Sequence, residues 1–201
     1  IAADKDNDIW IGTYGGGLDR YDRRIDGFVH YKHKFNDPNT PGGDRVQTLC
    51  VSRDSSLWIG TYDGGLDKLD KRTGTFTHFR HDPYQNSLSN NSVNFVYEDS
   101  RGGIWVCTTV GLDHLDKTTG TFTNYFTRDG LSGDVVFGIQ EDRKGQLWIS
   151  TTNGLCMLDA ERRHFLKFTE DDGLQSSEFK AHACLMDHSG TMYFSGVNGF
   201  N

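Results

Sequence analysis

Histidine pairs, adjacent carboxylates and cysteines are the residues in this sequence best able to do chemistry. His30-x-x-His33 and His78-x-x-His81 suggest a metal site, Glu98-Asp99 and Glu141-Asp142 offer paired carboxylates for acid–base work, and the cysteines are Cys50, Cys107, Cys156 and Cys184. All these segments read as strands. Along a strand, adjacent residues and residues three apart point to opposite faces, so neither arrangement converges on one metal or one substrate. The histidines read as exposed side chains on outer strands, and the carboxylate pairs as turn caps. The cysteines show no C-x-x-C spacing. They read as small buried apolar residues, with a disulfide as the alternative. No G-x-S-x-G motif or phosphate-cradling glycine loop occurs, and Gly15-Gly16-Gly17 sits in a hairpin. No catalytic residue, metal ligand or cofactor is expected.

The elements that position these residues come from an internal repeat. Four segments align: DIWIGTYGGGLDRYD (8–22), SLWIGTYDGGLDKLD (56–70), GIWVCTTVGLDHLD (103–116) and QLWISTTNGLCMLD (146–159). A shortened fifth, TMYFSGVNGFN (191–201), follows. Their aromatic anchors Trp10, Trp58, Trp105, Trp148 and Tyr193 are 48, 47, 43 and 45 residues apart. That period fits a blade of four short antiparallel strands, A to D. Strand A is expected at 46–53, 93–99, 135–142 and 182–187. Strand B carries the tryptophan, strand C follows an Asp-Gly or Asn-Gly turn, and strand D lies at 75–80, 121–126 and 164–169. Segments such as Leu57-Trp58-Ile59-Gly60-Thr61 are apolar or small on both faces. A sheet buried on both faces needs neighbours on both, which blades stacked around an axis provide. The expected fold is therefore all-β: a β-propeller segment, 1–201, of about four and a half four-stranded blades (1–35, 46–80, 93–126, 135–169 and a partial 181–201). An open solenoid is the structural alternative. Because Ile1-Ala2-Ala3 reads as the tail of an A strand and the chain stops in a C strand, a piece of a longer protein is expected.

Charge narrows the function. The net charge of −7 excludes a basic groove for nucleic acid and a basic membrane-surface helix. No apolar run is long enough to span a bilayer, and the opening IAADKDND has neither the basic start nor the apolar core of a signal peptide. Asp19, Asp67 and Asp113 share one repeat position, and Asp22, Asp70, Asp116 and Asp159 another. Recurrence in every blade points to a scaffold role, since a catalytic residue would be singular. With strand A innermost, the D-to-A and B-to-C loops share one rim. The D-to-A loops 34–45 and 81–91 are long, and 127–134 and 170–177 are short. Variable loops on a repeated scaffold are where specificity lies. The ligand-binding candidates on this rim are Tyr14, Tyr62, Arg80, Tyr84, Asn90, Asn91 and Arg128: aromatic faces stack on sugar rings, and Asn or Arg can hydrogen-bond hydroxyls or carboxylates.

The pattern D-x-x-G-x-[LI]-W-[IV]-G-T-x-x-G-L-x-x-[LY]-D resembles the two-component regulator propeller repeat. So do Asp129-Gly130-Leu131-Ser132 and Asp172-Gly173-Leu174-Gln175, which precede strand A. Cys107 and Ser150 stand where the pattern has glycine. The chain is similar to the periplasmic halves of hybrid two-component sensor histidine kinases of gut Bacteroidetes. The resemblance implies a ring of seven blades, an adjacent immunoglobulin-like domain, a membrane helix and a cytoplasmic kinase that these residues do not carry. It also implies a periplasmic ectodomain of an inner-membrane protein, acting as a homodimer and sensing polysaccharide-derived oligosaccharides. The alternatives are a propeller lyase or hydrolase of the streptogramin-lyase type, or a protein-interaction scaffold.

Overall fold

The structure, a computed structural model, describes residues 1–201. It divides into two compact units, Ile1–Val96 and Tyr97–Asn201. No helix in it is long and apolar enough to cross a membrane.

The first unit holds two antiparallel meanders. One is β1 (Ala2–Ala3), β2 (Ile9–Thr13), β3 (Gly17–Asp22) and β4 (Gly27–Tyr31); the other is β5 (Val46–Val51), β6 (Leu57–Thr61), β7 (Leu66–Asp70) and β8 (Thr75–Phe79). All five residues of β6 are buried, as the two-faced apolar pattern requires. Glycine in the I-G-T motif is explained by close approach. A Cβ on Gly12 would fall 2.5 Å from Val46 Cγ1, and one on Gly60 would fall 2.5 Å from both Thr48 Cγ2 and Val93 Cγ1. The core here gathers Trp10, Leu18, Val46, Leu57, Ile59 and Leu69.

β9 (Val93–Glu98) spans the division and forms one sheet with β10 (Ile104–Thr108), β11 (Leu112–Asp116) and β12 (Thr121–Tyr125). The second unit continues with β13 (Val136–Glu141), β14 (Leu147–Thr151), β15 (Gly154–Leu158) and β16 (Phe165–Phe168). A three-stranded sheet, β17 (Phe179–Met186), β18 (Met192–Gly196) and β19 (Gly199–Phe200), completes it. The A strand of this last sheet starts at Phe179 instead of His182. Its ladder breaks between Phe179 and Cys184, where His182 takes φ = +59°, and this interruption hides the strand's first half in the sequence. The D-G-L segments form single 3-10 turns, Thr127–Asp129 and Glu170–Asp172. Asp129 and Asp172 accept from the amides of Phe126 and Thr169, and Gly130 (φ 113°) and Gly173 (φ 98°) provide the left-handed exits.

The aromatic anchors share one bond. The indole N–H of Trp10, Trp105 and Trp148 donates to the aspartate six residues earlier, Asp4 (3.0 Å), Asp99 (2.9 Å) and Asp142 (3.2 Å). Tyr193 repeats it with Asp187 (3.3 Å). The second oxygen of each carboxylate accepts two amides of the A-to-B turn, as Asp99 does from Arg101 and Gly103. In the second blade this aspartate is Ser52, and the buried Trp58 indole N–H has no partner.

Candidate functional site

In the first unit, Tyr14 and Tyr62 each leave the end of a B strand, immediately after β2 and β6. Arg45, just before β5, ties them together: it bridges Tyr14 along the backbone, and its carbonyl accepts the Tyr62 amide at 2.9 Å. The two rings meet edge to face, 6.4 Å between centroids. The Arg45 guanidinium lies 5.1 Å from the centre of the Tyr62 ring and 6.0 Å from that of Tyr14. It also pairs with Asp63 at 3.2 Å. Tyr14 is 73% exposed and Tyr62 45%. An aromatic pair left this open contributes little to a core; its faces, with a donor from Arg45 and an acceptor from Asp63 beside them, can stack on and hydrogen-bond a polar ring. Thr109, Thr152 and Val197 occupy the equivalent place in later repeats, so the aromatic pair breaks the repeat. Arg45 and Asp63 escaped the sequence reading. Asp63 adjoins Tyr62, but Arg45 reaches Tyr14 only through a contact 31 positions along the chain.

The long loop 34–45 of the same unit is tied down by two histidines. His33 Nδ1 donates to Pro41 O (2.8 Å), and its amide donates to Asp44 (2.8 Å). His78 sits on β8 with Nδ1 2.6 Å from Asp67 Oδ1 and Nε2 2.9 Å from Pro38 O. The second Asp67 oxygen accepts the Gly42 amide at 2.6 Å. Both His78 nitrogens face acceptors, so the ring satisfies both only as the imidazolium. The bond to Asp67 and, more weakly, that to Pro38 hold its pKa above the ordinary value, against burial and the nearby Arg80 cation. His30, His33 and His81 are exposed as expected, but His78 is half-buried. Its ring, sandwiched between strand and loop, corrects the exposed reading. A cavity of about 250 Å³ opens beside it, and Arg80 lines it.

The remaining candidates lie apart from this pair. In loop 81–91, Tyr84 is 94% exposed, and its amide donates to Asp82. Asn90 and Asn91 spend their side-chain oxygens on the amides of Ser92 and His81. In the second unit, Arg128 stacks over Phe126 (4.3 Å) beside a groove of about 500 Å³ shared with Thr109, Val110 and Asp134.

The carboxylate pairs are held structurally. Glu98 accepts from Lys117 (2.6 Å). Asp99 and Glu141 share Arg162, at 3.2 and 3.3 Å, and Glu141 also accepts from the Ser100 amide and hydroxyl. Glu141 therefore joins two blades of the second unit instead of capping its own turn. Asp19, Asp67 and Asp113 bond His30, His78 and Asn124 on the adjoining D strands. None of the four cysteines is joined in a disulfide, which removes that alternative, and burial pushes the thiols of Cys107, Cys156 and Cys184 up. No group of three His, Cys, Asp or Glu side chains is placed to hold a metal ion.

Two stretches, residues 87–109 and 130–153, match the two-component regulator propeller repeat. No curated protein matches the chain in sequence. Among solved structures, it superposes on the extracellular domain of a protein assigned as a hybrid two-component system of B. thetaiotaomicron. The TM-score is 0.72 at 20% identity, covering 99% of this chain and 32% of that one. A second extracellular domain from that organism, assigned to a one-component system, gives 0.74 at 24% identity, over 100% of this chain and 26% of that one. Virginiamycin B lyase of Staphylococcus aureus gives 0.71 at only 12% identity, over 97% and 61%. The blades are therefore those of a β-propeller, and the chain spans about a third or less of the two extracellular domains it resembles.

Proposed function

We propose that this chain, built of two-component regulator propeller repeats, is the ligand-sensing part of the ectodomain of a hybrid two-component sensor histidine kinase. In this reading it lies in the periplasm, next to an immunoglobulin-like domain in a homodimeric receptor, and it responds to oligosaccharides released from polysaccharides. A ligand signals there by binding one receptor geometry more tightly than the other.

The observation that carries the reading is the Tyr14–Arg45–Tyr62 group, exposed, preorganised and confined to the first two blades. Sugar rings present apolar faces that stack on such rings, while Arg45 donates to and Asp63 accepts from ring hydroxyls. The paired carboxylates that could have served a lyase-like site, Glu98, Asp99 and Glu141, are engaged with Lys117, Arg162 and turn amides. Calorimetric titration with size-fractionated polysaccharide digests tests the proposal. Tyr62→Ala removes one stacking face and should weaken binding by roughly two- to tenfold. Oligosaccharide affinity unchanged by both Tyr14→Ala and Tyr62→Ala would remove the site from the account.

A further inference from the structure

The cavity of about 250 Å³ beneath loop 34–45 is lined by Lys34, Asp37, Pro38, Thr40, His78 and Arg80, among others. His78 sets both ring nitrogens against acceptors, Asp67 Oδ1 and Pro38 O, a geometry that favours the imidazolium. Arg80 projects from the same strand end, and its charge is felt at His78 as a repulsion. It forms no ion pair, whereas Arg20, Arg24 and Arg45 of this unit each have a carboxylate within 4.0 Å. The backbone passes close: a Cβ on Gly42 would lie 3.2 Å from Arg80 Nη2. Against these cations stand two carboxylates. Asp67 lies behind His78 and is consumed by it and by the Gly42 amide; Asp37 accepts the Asn39 amide within its own loop. The cavity therefore carries net positive charge in a chain whose total is −7.

We infer that this cavity binds an oxyanion, the carboxylate or sulfate group of an acidic sugar, through the Arg80 guanidinium beside the His78 imidazolium. A planar guanidinium takes a carboxylate or sulfate through two parallel N–H bonds, which a neutral hydroxyl cannot match. The cavity is large enough for a charged substituent on one sugar ring. The inference rests on the oligosaccharide reading above and adds that the recognised saccharide is acidic.

The test is an amide and imidazole NMR titration of the chain with sodium glucuronate, sodium sulfate and glucose. Shifts at His78, Thr40 and Gly42 with glucuronate or sulfate, lost roughly ten- to hundredfold in affinity in Arg80→Gln and partly kept in Arg80→Lys, are expected. Arg80 is exposed, so these variants should keep the wild-type melting temperature. Glucuronate acting without sulfate identifies a carboxylate site, and the reverse a sulfate site; either supports the inference. No response to either anion, or a response equal in Arg80→Gln, overturns it. If neutral oligosaccharides still bind and lose affinity in Tyr62→Ala, the sensing proposal survives that result. If no saccharide of either kind binds, both fall.

Discussion

Removing Arg162 should destabilise the second unit more than any other single charge deletion there. The side chain is 12% exposed, and its guanidinium lies 3.2 Å from Asp99 and 3.3 Å from Glu141, both nearly buried. It donates to the Gly145 carbonyl at 2.6 Å and lies 5.5 Å from the centre of the Trp105 ring. Breaking a buried ion pair from one side typically costs about 3–5 kcal/mol, because the remaining charge stays desolvated. Asp99 keeps the Trp105 indole and two amides, and Glu141 keeps Ser100, so the lower end, about 3 kcal/mol, is expected. For a chain of this size that is roughly a 6–12 °C drop in melting temperature. Alanine is the appropriate replacement: Arg162 sits at φ = +61°, so glycine would add a backbone gain to the result. Arg163→Ala, at the exposed neighbour, should cost under about 0.5 kcal/mol. The pH dependence follows from Asp99. Burial pushes its pKa up, but the Trp105 indole, the Gly103 amide and Arg162 together hold it below the ordinary 3.8. A depressed carboxylate contributes stability that is present above its unfolded pKa and lost as pH falls through the folded one. The gap between wild type and Arg162→Ala should therefore narrow in acid. Thermal unfolding followed by near-ultraviolet circular dichroism reads both. Equal melting temperatures for Arg162→Ala and Arg163→Ala, or a gap that widens in acid, would refute the reasoning.

Ser52→Asp should restore to the second blade the acceptor that Trp58 lacks and raise stability by about 1 kcal/mol, read as a higher urea midpoint at unchanged slope; a lower midpoint would count against a stabilising role for the anchor–aspartate bond. Gly60→Ala places a methyl 2.5 Å from Thr48 and Val93 and should cost about 1–3 kcal/mol by the same assay, whereas a cost near zero would mean those strands part easily. His78 is held by Asp67, so its folded pKa lies above 6.5; its contribution to stability is complete below pH 6.5 and is lost as pH rises through the folded value. An imidazole NMR titration with a midpoint below 6.5 would show that the Asp67 and Pro38 bonds do not form in solution.

Much of the fold was legible because the repeat restates it. Five anchors at nearly constant spacing fix the blades, and glycine in I-G-T marks where a neighbouring A strand packs against strand B. The aspartate six residues before every anchor but Trp58 was equally visible as a letter, but its double duty, one oxygen to the anchor and one to turn amides, is a geometric fact of the A-to-B turn. The site was half legible. Tyr14 and Tyr62 stand out as aromatics where later blades carry Thr or Val, yet Arg45 joins them only through pairing of distant chain segments. Arg162 was hidden for a related reason: its C-to-D turn departs from the K-x-T-G form of the second and third blades, and its partners lie 63 and 21 residues back. His78 read as one more outer-strand residue because nothing local announces that loop 34–45 folds over it.

Contact between the Tyr14–Tyr62 rim and an oligosaccharide can be read directly from an amide chemical-shift map of the chain with saturating polysaccharide-derived oligosaccharides. Shifts should concentrate at Tyr14, Arg45, Tyr62 and Asp63, with none around Arg101 and Arg162. Shifts confined to the Arg162 region, or no shifts with any oligosaccharide, would contradict it.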